Sequence, residues 1–281
     1  MMSVVQMCEV AGFSRCGYYR FLDPVKPAPA DMDLRDHIQK IALEWPCYGS
    51  RRITAERKAR KWDVNRKRVQ RIMREDNLLC VVKRRFVAPT TDSAHGLKVY
   101  ANRAATMVLT GVDQLWVADI TYIRLEEESV YLAVILDAYS RRVTGWHLDQ
   151  CLDDSLTLNA LRMALRTRTV LPGLVHHSDR GVQYASHEYT VTLKDNGIEI
   201  SMSRKANPWD NAACESFMKT LKYEEVYRTE YRNLAHARAK IGEFLEKVYN
   251  QKRLHSALSY RSPVEFENSL SITASQQQVA V

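Results

Sequence analysis

The sequence predicts an α/β protein in two parts, a small basic all-helical region followed by a mixed β-sheet with helices packed on it. Three observations carry that expectation. The positive excess lies entirely in the first hundred residues, which hold 20 Lys and Arg against 11 Asp and Glu, while residues 101–281 hold 21 against 22. Three runs rich in Val, Ile, Tyr, Trp and Thr, at residues 115–123, 130–138 and 142–148, are separated by short polar breaks, the pattern of antiparallel hairpins. Beyond them, helical periodicity alternates with short apolar runs, which places helices on the sheet.

The broad class follows from the same counts. With 281 residues, 46% hydrophobic and 26% charged, the chain has the composition of a folded globular protein. Its longest uninterrupted apolar run, residues 130–136, is far short of a membrane span, and no signal-peptide pattern opens the chain, so a cytoplasmic protein is expected. Six scattered cysteines without a C-x-x-C pair argue against a disulfide framework or structural zinc.

Taken in order, Leu34, Ile38 and Ile41 recur at helical spacing and predict a helix ending near Glu44. Residues 51–85 contain 14 Lys and Arg against 4 Asp and Glu. Within them Asp63 or Asn65 can cap a helix with Val69, Ile72 and Met73 as its buried stripe. Arg66, Lys67, Arg68, Arg71 and Arg74 ride on that helix. A tight turn and a basic second helix suit a helix-turn-helix-like DNA-binding region over residues 1–86, although a solvated basic helix has the same composition. Pro89, Thr90, Thr91, Asp92, Ser93 and Gly96 mark residues 87–112 as a linker. In the second part, residues 113–267, the three strands precede helices at 154–166, 187–196, 211–227 and 234–250, with strands at 174–177 and 198–202. The polar residues 268–281 read as a flexible tail.

Three carboxylates stand out. Asp119 interrupts the strand WVADITYI, Asp179 closes the strand in HHSDRG, and Glu215 sits one turn into a helix. Each alone has an ordinary structural explanation. Together they can converge on one edge of a mixed sheet, where like charges repel unless cations occupy the site. Hard oxygen ligands favour magnesium or manganese, and paired ions of that kind suit in-line displacement at phosphorus. On the Glu215 helix, Ala213, Phe217 and Leu221 share one face, and Glu215, Lys219 and Lys222 another.

Asp179 and Glu215 are separated by 35 residues, and Lys222 follows Glu215 by seven. This spacing resembles the D,D(35)E retroviral-integrase superfamily. The stretches WVADITYI, LDAYSRRVTGW, HHSDRGVQY, SMSRKANPWDNAACESFMKTLKYE and YNQKRLHSALSYRSPVEF closely resemble the catalytic OrfB product of bacterial insertion-sequence transposases of the third type. YGSRRI and the basic helix after it resemble that family's helix-turn-helix-like region. The resemblance implies a ribonuclease H-like core, a DDE-type transposase performing strand cleavage and transfer, and Asp119, Asp179 and Glu215 as catalytic residues and metal ligands. It further implies Mg2+ or Mn2+, two ions, as cofactor. Arg66, Lys67, Arg68, Arg71, Lys219 and Lys222 become candidate DNA contacts. The partners implied are transposon-end and target DNA, a homo-oligomer in a synaptic complex, and an upstream OrfA product or a fused form. The location implied is cytoplasmic and nucleoid-associated when bound to DNA. The alternative is a DNA-binding regulator or inhibitor of transposition without catalysis. The segment YANRAATMVLTGV matches the family pattern loosely, and no heptad run is visible.

Other residues invite roles of their own. Asp137 reads as turn-stabilising, and His177 as packing or hydrogen-bonding near the site. Trp209 suits either base stacking or a loop anchor. His255 and Tyr260 read as fold or DNA-path residues.

Overall fold

A computed structural model of the chain describes residues 3–22, 31–78, 97–203 and 212–279. The expected positions of Trp209, of linker residues 87–96 and of the last two tail residues lie outside them. The chain divides into two compact units, Met1–Cys80 and Val81–Val281. Among the described residues, no helix is long and apolar enough to cross a membrane.

The first unit opens with two short helices that the sequence reading leaves unassigned, α1 (Val4–Ala11) and α2 (Arg15–Leu22). Ser3 and Gln6 cap α1 reciprocally, and Gly12, at φ 69°, ends it in the left-handed conformation that glycine adopts without a Cβ penalty. Helices α3 (Met32–Glu44), α4 (Ser50–Ala59) and α5 (Arg66–Glu75) follow. Leu34, Ile38 and Ile41 of α3, Ile53 of α4, and Val69, Ile72 and Met73 of α5 are buried, as their spacing requires. Asn65 is the residue that caps α5, its Oδ1 accepting the Lys67 amide at 2.8 Å. The Arg35 guanidinium forks from α3 onto Glu75 and Asp76 at the end of α5.

The second unit is built on a five-stranded sheet in the order β3-β2-β1-β4-β5. Its strands are β1 (Leu115–Arg124), β2 (Ser129–Asp137), β3 (Val143–Asp149), β4 (Val175–Ser178) and β5 (Glu199–Met202). The first three pair antiparallel through hairpins, whereas β4 lies parallel to β1 and β5 parallel to β4. This is the expected mixed sheet. Its two faces bury separate cores. On one, Val117, Ile123, Leu132 and Val134 meet Phe217 and Leu221 of α9 (Ala212–Leu221) and Ile241 of α10 (Leu234–Glu243). On the other, Trp116, Ala118 and Ile135 meet α6 (Asp154–Thr167), α7 (Val182–Ala185) and α8 (His187–Asp195). Alternate residues of β1 thus point into opposite cores, which is why Leu115–Ala118 form an unbroken apolar run. Gly145 lets α6 lie close on β3, since a Cβ there would stand 2.2 Å from the Ala160 carbonyl oxygen.

Three features depart from the sequence reading. The helix expected at 211–227 is regular only over α9 and then widens into a π-helical turn, Lys222–Val226. The helix expected at 234–250 likewise passes from α10 into a π-helical turn, Phe244–Tyr249. Helix α11 (Pro263–Val279) runs on through most of the polar segment after Glu267. Glu267 anchors its first half, accepting from Ser140 at 2.7 Å and Arg142 at 2.5 Å and pairing with Arg168. A tether of that kind orders a helix whose sequence carries no apolar stripe.

Candidate active site

Strand pairing brings the two aspartates together. The parallel register sets Val117 of β1 against His177 of β4. Asp119 stands two residues further along β1 and Asp179 one residue past the end of β4, close enough for the two charges to act on one another. Asp119 Oδ1 accepts the Ile120 amide at 2.9 Å, and Asp179 Oδ1 accepts the Gly181 amide at 2.9 Å. Arg180 donates to the Ser203 carbonyl at 2.8 Å and ties the turn after Asp179 to the end of β5.

The third carboxylate arrives on α9. That helix packs on β1 through Cys214, Phe217, Met218 and Leu221, all buried, while Glu215 and Lys219 are exposed. The helix face predicted from Ala213, Phe217 and Leu221 is therefore the inward one, widened by Cys214 and Met218. Lys222, first residue of the π-helical turn, holds its ammonium 5.0 Å from the centre of the Tyr122 ring on β1, a cation–π contact.

Electrostatics links these groups. Burial pushes the Asp119 carboxyl up from 3.8 to about 7, and the Asp179 carboxylate adds to the rise. The Ile120 amide opposes it, Glu215 adds a smaller like-charge push, and the Lys222 ammonium pulls downward. Asp119 as a residue retains some exposure, so water reaches its edge while its carboxyl is desolvated by the surrounding protein. Among the described residues, no three His, Cys, Asp or Glu side chains are gathered tightly enough to hold a metal ion as they stand. The donor set is nonetheless three carboxyl groups, and oxygen donors of that kind fit a hard divalent cation.

The neighbouring polar residues are structural. His176, fully buried, shares a 2.9 Å hydrogen bond with the Tyr189 hydroxyl, and burial pushes its imidazole down to about 3. His177 shares one of 2.8 Å with Ser201. Asp137 holds a turn, accepting the Ser140 and Asp113 amides at 2.6 Å each. His255 stacks edge-on against Tyr249, their ring centres 4.9 Å apart, and Tyr260 adopts a left-handed backbone with φ 58°.

In the first unit, Arg66 and Lys67 are exposed at the start of α5 and, among the described residues, stand in no ion pair. Arg68 and Arg71 reach back to Asp31, at 2.5 and 2.6 Å, and Arg71 also pairs with Glu75. Hydrogen bonds from Arg71 and Arg68 hold the Asp31 carboxyl below its ordinary value. Two features escaped the sequence altogether. Arg253 forks onto Glu224 of the π-helical turn with two contacts of 2.7 Å. Tyr184 is buried among Trp116, Ala118 and Tyr189, with no hydrogen-bond partner for its hydroxyl among the described residues; its only sequence signal is its place five residues after Asp179.

Comparison with known families assigns the chain to the polynucleotidyl-transferase class. Residues 110–208 match an integrase core domain, residues 196–263 a second integrase core profile, and residues 29–86 an HTH-like domain. The chain is 39% identical over 267 residues to an uncharacterized 31 kDa protein of insertion element IS600 from Shigella sonnei, covering 92% of this chain and 97% of that one. It is 34% identical over 272 residues to the transposase InsF of insertion sequence IS3A from Escherichia coli K12, covering 95% and 94%. The HTLV-2 integrase catalytic core, solved with magnesium, superposes with a TM-score of 0.42 at 17% identity, covering 55% of this chain and 96% of that one. The chain belongs to the IS3 family of insertion-sequence transposases.

Proposed function

We propose that Asp119, Asp179 and Glu215 form the single reacting centre of this transposase, cutting the ends of its insertion sequence and joining the freed 3′ hydroxyl to a new phosphodiester. The observation that carries the reading is the Asp119 carboxyl, raised first by burial, then by Asp179 and to a smaller extent by Glu215. Like charges that act on one another across a sheet edge are complementary to a cation. Mg2+ or Mn2+, two ions held by these carboxylates, would supply charge stabilisation for the attacking and leaving oxygens. Glu215, exposed on α9, would be the third carboxylate to hold them.

The chain's own groups divide the remaining work. Asp119, its carboxyl raised to about 7, would share its site between a proton and a divalent cation. Lys222, against Tyr122 and near enough for its charge to act on Asp119, suits a DNA phosphate, as does exposed Lys219. Arg66 and Lys67 offer phosphate contacts at the start of α5, whereas Arg68 and Arg71 must exchange Asp31 for DNA. Donor and target DNA are the substrates. A homo-oligomer brings two transposon ends together in a synaptic complex, with the upstream OrfA product or a fused form completing end recognition. The first transfer joins one end to the other on the same strand, giving a circular intermediate.

The test is incubation of labelled transposon-end DNA with the protein and Mn2+, resolving hydrolysed from joined strands. Joined strands support the reading, and binding without new strands contradicts it.

A further inference from the structure

Helix α5 carries Arg66, Lys67, Arg68, Arg71 and Arg74, and the fold treats these cations unequally. Arg68 and Arg71 are drawn onto Asp31, itself 3% exposed, at 2.5 and 2.6 Å, and Arg71 also meets Glu75 at 2.7 Å. At the end of the helix, Glu75 and Asp76 accept the Arg35 fork from α3. Val69, Ile72 and Met73 are buried along its inner side. Contacts on the inner side and on the Arg68–Arg71 flank therefore fix how α5 is rotated about its own axis.

The flank away from Asp31 is built differently. Gln70 and Arg74 stand one turn apart, at i and i+4, and so share a row on the helix surface. Gln70 is half-buried and Arg74 exposed. Among the described residues, neither side chain stands in a hydrogen bond or an ion pair. Gln70 is also the one uncharged polar residue in RKRVQRIMRE. A neutral amide adds little to the attraction of a phosphate, but it carries both an acceptor and two donors. That set matches N6 and N7 of adenine in the major groove, as a guanidinium matches O6 and N7 of guanine. Along the helix axis the two residues are about 6 Å apart, close to two base-pair steps of about 3.4 Å each.

We propose that Gln70 and Arg74 are the specificity-determining pair of the first unit, reading an adenine and a guanine in the major groove of the transposon end. The proposal rests on α5 facing DNA, with Arg66 and Lys67 at its start on phosphates, as set out above. Phosphate contacts place the helix on the duplex without selecting a sequence, whereas contacts to base edges select one. The pinned inner side of α5 keeps the Gln70–Arg74 row turned to the groove, and both side chains reach the bases with no bond to break first.

The test uses the full chain and a set of duplexes in which the transposon-end sequence is changed one base pair at a time, with affinities read by gel shift at one salt concentration. Wild type is weakened by changes at particular pairs. Gln70→Ala loses that discrimination about tenfold at one A·T pair, and Arg74→Ala does so at one G·C pair one or two steps away. Gln70→Ala binds an unrelated duplex as the wild type does, whereas Arg66→Ala weakens binding to every duplex alike. Variants of Gln70 and Arg74 that keep wild-type discrimination at every position overturn the proposal, as does a wild type that binds all the duplexes equally. Failure of the underlying placement is distinguishable: Arg66→Ala and Lys67→Ala would then bind end DNA with wild-type affinity and an unchanged salt dependence, and the proposal falls with it.

Discussion

Replacing Asp119 with asparagine removes a charge that the folded protein holds at a cost. The carboxyl is raised from 3.8 to about 7, and each pH unit of displacement is worth about 1.4 kcal/mol, so the ionised form costs up to about 4 kcal/mol. Partial exposure of the residue reduces this to about 2–4 kcal/mol after solvent screening. The sign follows from linkage. A folded-state value above the unfolded one stabilises fully below pH 3.8, and that contribution is lost as pH rises through about 7. Asparagine keeps the oxygen that accepts the Ile120 amide and carries no charge at any pH. Urea unfolding of both proteins in EDTA, followed by tryptophan fluorescence, should therefore show Asp119→Asn more stable by about 2–4 kcal/mol at pH 8, with the difference closing toward pH 4. The same variant should be inactive, and Mn2+ should stabilise the wild type alone. Equal stabilities at pH 8, or a difference that ignores pH, would refute the claim that Asp119 is a desolvated carboxylate among like charges.

Other outcomes follow from the same structure. Asp179→Asn and Glu215→Gln each abolish strand cleavage and joining while end-DNA binding in a gel-shift assay stays near wild type, because only a ligand charge is removed. Replacing Arg66 and Lys67 with alanine reduces the slope of log affinity against log salt by about 0.9 for each phosphate that is no longer neutralised, and a slope unchanged in both would show that α5 does not face DNA. Gly145→Ala forces α6 away from β3, since its Cβ would overlap the Ala160 carbonyl. An overpacking loss of about 1–3 kcal/mol should appear as a lower urea midpoint.

Much of this architecture was legible because its signals are local. The β-rich runs, the stripe Val69, Ile72 and Met73, and a carboxylate at position 119 in an otherwise apolar strand all lie within a few residues of one another. The match of the 35-residue spacing to a known family joined Asp179 to Glu215 across a gap that periodicity cannot bridge. What stayed hidden depends on contacts distant in sequence. Arg68 and Arg71 count as free cations until Asp31, on the entry to α3, is seen to pair with both. The π-helical turn at Lys222–Val226 leaves composition unchanged, and Glu224 finds Arg253 only in the folded unit.

The central claim is that Asp119, Asp179 and Glu215 form one cation-binding centre on one face of the sheet. A crystal structure of the protein with Mn2+ and transposon-end DNA tests it most directly through anomalous scattering. The account predicts two manganese peaks about 3.5–4 Å apart, bracketed by all three carboxylates, with the start of α9 drawn toward β1. Peaks bound by the aspartates alone while Glu215 turns to the far side of α9, or no peaks beside Asp119, would contradict it.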